Sequence, residues 1–175
     1  YRNAVADLVG SFHPSWRFEK KETFEPGLSA EYFQSKGMSK ADKLKIKRID
    51  HTIDFDFGEG SPAEDITPDQ FSGIWTGVLR APDTGYYEFR ISTQNGARLY
   101  VNAENTGQRR KMRDDSSLAG QRAIIDGWVS SGEYRELDTR IFLLGGREYP
   151  IRLEFFKYKE KTASLRFEWK PPHSN

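Results

Sequence analysis

The chain has 175 residues and no cysteine. This absence excludes a disulfide-stapled scaffold, a thiol nucleophile and thiolate metal sites. Its three histidines, His13, His51 and His173, lie far apart and form no H-x-x-H pattern, so the sequence also lacks the imidazole pairs of a typical zinc site. A chain of this length can bury enough surface to fold without cross-links.

The sequence also lacks a long apolar run and an excess of one charge. No stretch approaches the roughly 18 consecutive apolar residues of a membrane-spanning helix, so we expect no membrane insertion. Lys and Arg number 27 against 26 Asp and Glu, a net charge of +1 that provides no overall field for nucleic acid. The basic run at 109–113 is followed at once by Asp114 and Asp115 and contains no aromatic residue. We therefore interpret it as part of a solvated surface loop over 103–120, and expect no nucleic-acid partner.

Aromatic residues, by contrast, make up 14% of the chain, and they occur in segments that alternate between apolar and polar residues. A period of two is typical of antiparallel strands with one buried face. Many short strands separated by Gly, Asp and Asn favour an all-β fold, an antiparallel two-sheet β-sandwich, with a barrel as the alternative. The alternating segments cover residues 28–32, 51–57, 71–79, 86–91, 97–101, 151–156 and 163–170.

Local signals refine this organisation. Asn95-Gly96 between two alternating segments predicts a hairpin with a type I′ turn, in which both residues have positive φ. His51 shares the apolar parity of its segment, which predicts a core histidine. Residues 1–9 place their apolar side chains on one helical face, and Gly10 supplies a stop signal. We predict a short helix and irregular linker from a preceding domain over 1–26, the sandwich over 27–170 and a linker stub over 171–175.

The carboxylates Asp54 and Asp56 form a pair that we consider for catalysis. They project from the same side of one strand, and two carboxylates roughly 5–5.5 Å apart can perform retaining glycoside hydrolysis. Residues i and i+2 of a strand lie nearer to about 7 Å apart, and both fall on the polar parity. We therefore expect them on the solvent face and predict that the chain is not an enzyme.

Seven blocks in order resemble the PA-fourteen module, a family named for the anthrax toxin protective antigen. The resemblance covers about residues 27–170 and implies a β-sandwich that binds carbohydrate in several family members. The blocks are GLSAEYF at 27–33, IDFDFGEGSPA at 53–63, FSGIWTG at 71–77, APDTGYYEF at 81–89, NGARLYV at 95–101, IDGW at 125–128 and GREYPIRLE at 146–154.

The same resemblance implies where a ligand would bind. Sugar-binding members hold Ca²⁺ with two consecutive Asp residues just before the stretch that here reads GARL, and this chain has Gln94 and Asn95 there. We therefore expect the usual Asp–Asp calcium site to be absent and predict no other cofactor. A second family loop matches at Asp126 and Trp128, where the indole could stack on a sugar ring or cover the sandwich edge. The implied ligand-binding residues are Gln94, Asn95, Asp126 and Trp128, with Asn95 and Asp126 as the contacts of any calcium ion.

Residues 1–10, YRNAVADLVG, are similar to a helical segment of large multi-domain bacterial proteins. Together these features predict a non-catalytic carbohydrate-binding module of a larger exported bacterial protein, located outside the cell, on its surface or in the periplasm. Its predicted partners are a glycan or polysaccharide and the neighbouring domains of the parent chain. The alternative is a structural or protein-interaction spacer that binds no sugar.

Overall fold

The computed structural model describes residues 26–102 and 122–173. They form the predicted antiparallel two-sheet sandwich, and all ten strands lie within residues 27–170. The helix predicted over 1–9 and the loop predicted over 103–120 fall outside the described residues.

The two sheets contain six and four strands, and every strand pair is antiparallel. The larger sheet has the order β2-β1-β4-β9-β6-β7, and the smaller sheet has the order β3-β10-β5-β8. The larger sheet comprises β1 (Leu28–Phe33), β2 (Leu44–Asp50), β4 (Gln70–Arg80), β6 (Gly96–Val101), β7 (Ile125–Gly127) and β9 (Glu148–Tyr158), and a 3₁₀ turn (Ala41–Lys43) precedes β2. The smaller sheet comprises β3 (Asp54–Gly58), β5 (Gly85–Thr93), β8 (Arg135–Leu143) and β10 (Ala163–Lys170).

The core between the sheets is rich in aromatic rings, as the alternation predicts. Trp75, Tyr87 and Phe89 are fully buried, and Phe57 of the smaller sheet meets Phe71 of the larger sheet edge-on at 5.3 Å between ring centroids. Burying a side chain of this size stabilises the fold by about 1.5–3 kcal/mol. These contacts across the interior hold the two sheets face to face.

A polar cluster closes the edge of the core beside β2. Asp50 is buried, and its carboxylate accepts hydrogen bonds from Tyr32 Oη at 2.6 Å, Trp75 Nε1 at 2.8 Å and Arg48 Nε at 2.6 Å. Burial, followed by the adjacent Asp50 carboxylate, raises the pKa of Tyr32 far above its ordinary value. The cluster anchors the edge strand to the core because each buried polar group has a partner.

Two local predictions are wrong. Asn95-Gly96 does not form a hairpin, because β5 lies in the smaller sheet and β6 in the larger, and neither residue is among those with positive φ. The segment instead carries the chain from one sheet to the other. His51 is not in the core either: it lies exposed just after β2 ends, with Nδ1 within hydrogen-bonding distance of the carbonyl oxygen of Pro26.

Candidate functional site

The crossing from β5 to β6 is fixed by the side chain of Asn95. This residue is fully buried; its Nδ2 donates to the carbonyl oxygen of Thr162 at 3.2 Å, and its Oδ1 accepts from the main-chain N–H of Ser164 at 3.2 Å. The neighbouring Gln94 accepts a hydrogen bond through Oε1 from Thr162 Oγ1 at 2.6 Å. Both predicted ligand-binding residues of this loop therefore bind the turn that leads into β10.

A second residue, Arg135, ties this crossing to the loop after β7. Its guanidinium donates to the carbonyl oxygen of Asn95 at 3.0 Å, and to those of Gly127 at 3.5 Å and Val129. One cation thus holds together the two loops that the family resemblance points to. Nothing in the spacing of the sequence marks Arg135, which stands at the start of β8 like any other basic residue of a strand.

Asp126 and Trp128 come together with a third residue, Arg98. Asp126 of β7 lies opposite Arg98 of β6, and its Oδ1 accepts from Arg98 Nε at 2.8 Å and from the main-chain N–H of Trp128 at 3.3 Å. The Arg98 guanidinium lies 4.6 Å from the centroid of the Trp128 ring. We call these three residues the Trp128 unit; the carboxylate orients the guanidinium, and the guanidinium positions the indole by a cation–π contact.

The Trp128 unit continues into aromatic residues on the outer face of the larger sheet. The rings of Trp128 and Phe156 are 4.6 Å apart at an interplanar angle of 58°. Lys36 Nζ lies 5.0 Å from the ring of Phe156 and 5.2 Å from that of Tyr158. Phe156 can lie flat here because its register partner is Gly96, where a Cβ atom would meet the ring at 2.0 Å. The result is a partly buried aromatic surface edged by cations.

The side chains of the four predicted residues bind different partners, although Arg135 links their two loops. Asp126 and Trp128 belong to the Trp128 unit, whereas Gln94 and Asn95 face the turn before β10 in the other sheet. Calcium requires six to eight oxygen ligands, yet Oδ1 of Asn95 and Oδ1 of Asp126 already accept hydrogen bonds from different partners. Across residues 26–102 and 122–173, no three His, Asp or Glu side chains are grouped so that they could hold a metal ion. A calcium ion shared by Asn95 and Asp126 would therefore have to compete with hydrogen bonds that both side chains already make.

The carboxylate pair considered for catalysis lies on the outer face of β3, as its polar parity predicts. Asp54 and Asp56 are both exposed; Arg166 Nε is 4.0 Å from Asp54, and Asp56 accepts a hydrogen bond from the main-chain N–H of Gly58.

Within the part of the chain that the structure describes, no helix is long and apolar enough to cross a membrane.

Comparison with known proteins identifies relatives of this fold. Residues 25–175 match the PA14 domain family. The anti-sigma-I factor RsgI3 of Acetivibrio thermocellus is 32% identical over 143 residues, which cover 82% of this chain and 19% of that protein. This chain therefore spans about a fifth of the length of that relative.

Solved structures agree with this grouping. An anti-sigma factor domain-containing protein from Clostridium clariflavum aligns with a TM-score of 0.67 and 29% identity, covering 86% of this chain and 44% of that one. The A domain of Epithelial Adhesin 9 from Candida glabrata, solved in complex with Galβ1-3GlcNAc, aligns with a TM-score of 0.60 over 86% of this chain and 84% of that one. At 16% identity the likeness to the adhesin shows the fold alone.

Proposed function

The chain belongs to the PA14 domain family, and from that premise we propose that it is a non-catalytic carbohydrate-binding module of a larger exported protein. The observation that carries the proposal is the Trp128 unit. It combines a half-buried indole with a guanidinium donor and a carboxylate whose side chain is 56% exposed. An aromatic face packs against the C–H groups of a sugar ring, while donors and acceptors beside it bind the hydroxyl groups.

The proposed ligand class also draws on the adhesin domain of the same fold, which was solved with a disaccharide. We transfer only the class of ligand, since the identity is too low to transfer residues. In this proposal Asp126 and Trp128 contact the sugar, whereas Gln94 and Asn95 shape the loop from behind. In this proposal binding is direct and independent of calcium, since Oδ1 of Asn95 and Oδ1 of Asp126 already accept hydrogen bonds from different partners. We propose further that the module lies outside the cytoplasm, where it would meet such a polysaccharide.

The experiment is a titration of the 175-residue chain and its Trp128→Ala variant with a broad panel of neutral and acidic polysaccharides, in calcium and in chelator. We expect Trp128→Ala to weaken binding at least tenfold, and calcium to change nothing. Ile49→Ala is the matched control, because it truncates an exposed apolar side chain on β2, the opposite edge strand of the larger sheet. If the unmodified chain binds no glycan at millimolar sugar, the alternative of a structural or protein-interaction spacer replaces this proposal.

A more specific setting follows from the two anti-sigma relatives, at 32% and 29% identity. We propose that the parent protein is of the anti-sigma class and that this module supplies its extracellular ligand recognition. A promoter reporter for the cognate sigma factor would then respond to the bound polysaccharide, and Trp128→Ala in the full-length parent would blunt that response. An unchanged response in this variant, at equal protein level, would remove Trp128 from signalling.

A further inference from the structure

A shallow groove of about 480 Å³ crosses three strands on the outer face of the smaller sheet. One wall is formed by a row of register partners, Lys170 of β10, Glu88 of β5 and Arg140 of β8. The other wall is the next outward-facing row, Glu168, Arg90 and Asp138. The floor is the backbone between the rows.

Charges alternate in sign around this groove, both along each strand and from one strand to the next. Arg140 Nε lies 3.3 Å from Glu88 Oε1 across the strand pair, and Arg166 Nη2 lies 2.7 Å from Glu168 Oε1 along β10. The two walls together present three cationic and three anionic side chains, all exposed, so their formal charges cancel. Donors and acceptors therefore alternate around a groove that has no net charge.

Two exposed aromatic rings extend the groove. Tyr86 and Phe142 are register partners one row beyond Glu88 and Arg140; 57% and 55% of their surfaces are exposed, and their ring centroids are 5.4 Å apart. The Arg140 guanidinium lies 5.4 Å from the ring of Tyr86. Both rings face outward from the sandwich, so core packing does not explain them. An exposed aromatic pair on an otherwise charged face is the kind of feature that marks a contact site.

We propose that this groove is a second carbohydrate-binding surface that takes a neutral, hydroxyl-rich glycan chain. Tyr86 and Phe142 pack against one sugar ring, and the wall residues bind hydroxyl groups of its neighbours. A hydroxyl group both donates and accepts hydrogen bonds, so it satisfies guanidinium and carboxylate groups alike. A polyanion would approach three carboxylates, and a polycation three cationic groups, without any compensating net charge.

The ligand class is that of the proposed function, so the inference rests on it, but the surface is different. The Trp128 unit lies beside the larger sheet, whereas the groove lies on the outer face of the smaller one. Two sites on opposite faces let one module contact two polysaccharide chains, or two stretches of one chain, so that the avidity exceeds the affinity of either site alone.

The test uses the 175-residue chain with Tyr86→Ala/Phe142→Ala, with Trp128→Ala and with all three substitutions combined. The probes are hydroxyethylcellulose, xyloglucan and galactomannan as neutral polymers, with carboxymethylcellulose as the charged counterpart of the first; affinity gels and titration give the binding constants. We expect the aromatic pair variant to lose at least tenfold in affinity for a neutral polymer. The triple variant should lose more affinity than either the aromatic pair variant or Trp128→Ala. Both rings are more than half exposed, so an unchanged melting temperature will show that folding is intact.

The outcomes separate this inference from the proposed function. Loss of binding in Trp128→Ala alone, with the aromatic pair variant unchanged, overturns the groove and leaves the proposed function standing. Loss of binding in the aromatic pair variant alone supports the groove as a binding site and shows that Trp128 does not bind the glycan. Absence of binding by the unmodified chain overturns both.

Asp138→Lys tests the walls: it makes the groove cationic, and we expect the preference to shift at least fivefold from hydroxyethylcellulose to carboxymethylcellulose. An unchanged preference would show that the walls do not contact the glycan.

Discussion

Asn95 and Ser164 meet where the chain leaves the smaller sheet for the larger one, through a hydrogen bond of 3.2 Å from the main-chain N–H of Ser164 to Oδ1 of Asn95. The same amide donates through Nδ2 to the carbonyl oxygen of Thr162. Asn95 therefore needs one donor and one acceptor on its side chain, which only an amide provides in this shape. An ionised aspartate offers acceptors alone. Asn95, which the family resemblance matches to the second Asp of the calcium pair, thus has a structural role in this chain.

The first prediction concerns Asn95→Asp. The carboxylate would face the carbonyl oxygen of Thr162 without a proton between them, and we expect the free energy of unfolding to fall by about 1–3 kcal/mol at pH 7, measured in urea. Gln94→Glu is the matched control, because its carboxylate still accepts from the hydroxyl of Thr162, and we expect a change within about 0.5 kcal/mol. Full recovery of Asn95→Asp by millimolar calcium would contradict the structural role and reveal a latent metal site.

The second prediction concerns the packing of the Phe156 ring against Gly96. In Gly96→Ala the new methyl group would overlap the ring of Phe156, so the ring must move. Its contact with the Trp128 ring would change as a result. We expect a loss of about 1–3 kcal/mol in stability, together with a shift in tryptophan fluorescence and weaker glycan binding. Gly37→Ala is the control, because a Cβ atom there meets nothing within 4 Å. Wild-type fluorescence and stability in Gly96→Ala would show that the ring moves without cost.

The third prediction concerns alkaline pH and Tyr32. Its raised pKa means that the native state holds the phenol proton more tightly than the unfolded state does. The resulting stabilisation is complete below about pH 10, the ordinary tyrosine pKa, and is lost as the pH rises further. We expect the unfolding free energy to fall above about pH 10 more steeply in the wild type than in Tyr32→Phe, by up to about 1.4 kcal/mol per pH unit.

The partner of Tyr32 provides a second arm to this experiment. Burial is the main cause of the raised pKa, and the Asp50 carboxylate adds to it, so Asp50→Asn should reduce the alkaline dependence without abolishing it. If the unfolding free energy falls with the same slope above about pH 10 in the wild type, Tyr32→Phe and Asp50→Asn, another group governs the loss of stability in alkali.

How far the sequence predicts this fold depends on which side chains each strand turns inward. Strands such as β5, with Tyr87, Phe89 and Ile91 inward, display the alternation plainly and were predicted. Strand β2 turns Arg48 and Asp50 toward the core edge, so its alternation ends in charged residues and the strand was missed. Strand β8 places Thr139 between inward Leu137 and Ile141, which breaks its apolar parity.

The turn prediction is wrong for a different reason, which is that long-range contacts decide the path of the chain there, and such contacts also complete the candidate site. Asn95-Gly96 carries a strong local hairpin signal, but the hydrogen bonds of Asn95 to residues 162 and 164 direct the chain into the other sheet. Family motifs pointed to Asp126 and Trp128. Arg98 reaches Asp126 only because the register of β6 and β7 places the two residues opposite each other. Arg135 contacts this region through carbonyl groups of loops that are distant in sequence. Neither relation is visible in the local sequence.

The last prediction concerns Lys157, a buried lysine of β9. Only 1% of its surface is exposed; its Nζ donates to the carbonyl oxygen of Lys161 at 3.2 Å and lies 6.0 Å from the ring of Phe71. Burial lowers the pKa of Lys157, and the carboxylates of Asp69, Glu59 and Glu160 only partly offset it. The ammonium is therefore held in the core at a net cost in free energy.

Lys157→Met keeps the length of the side chain and removes the charge, so we expect it to raise the free energy of unfolding at pH 7 by about 1–2 kcal/mol. Because the pKa is lowered in the native state, the penalty in the wild type is full below that pKa and fades as the pH rises toward the ordinary lysine value. The advantage of Lys157→Met should therefore shrink in alkaline solution. Lys45→Met on the exposed edge strand is the matched control and should change stability by less than about 0.5 kcal/mol. A destabilised Lys157→Met would mean that the bond to Lys161 outweighs the cost of burial and that this lysine secures the turn before β10.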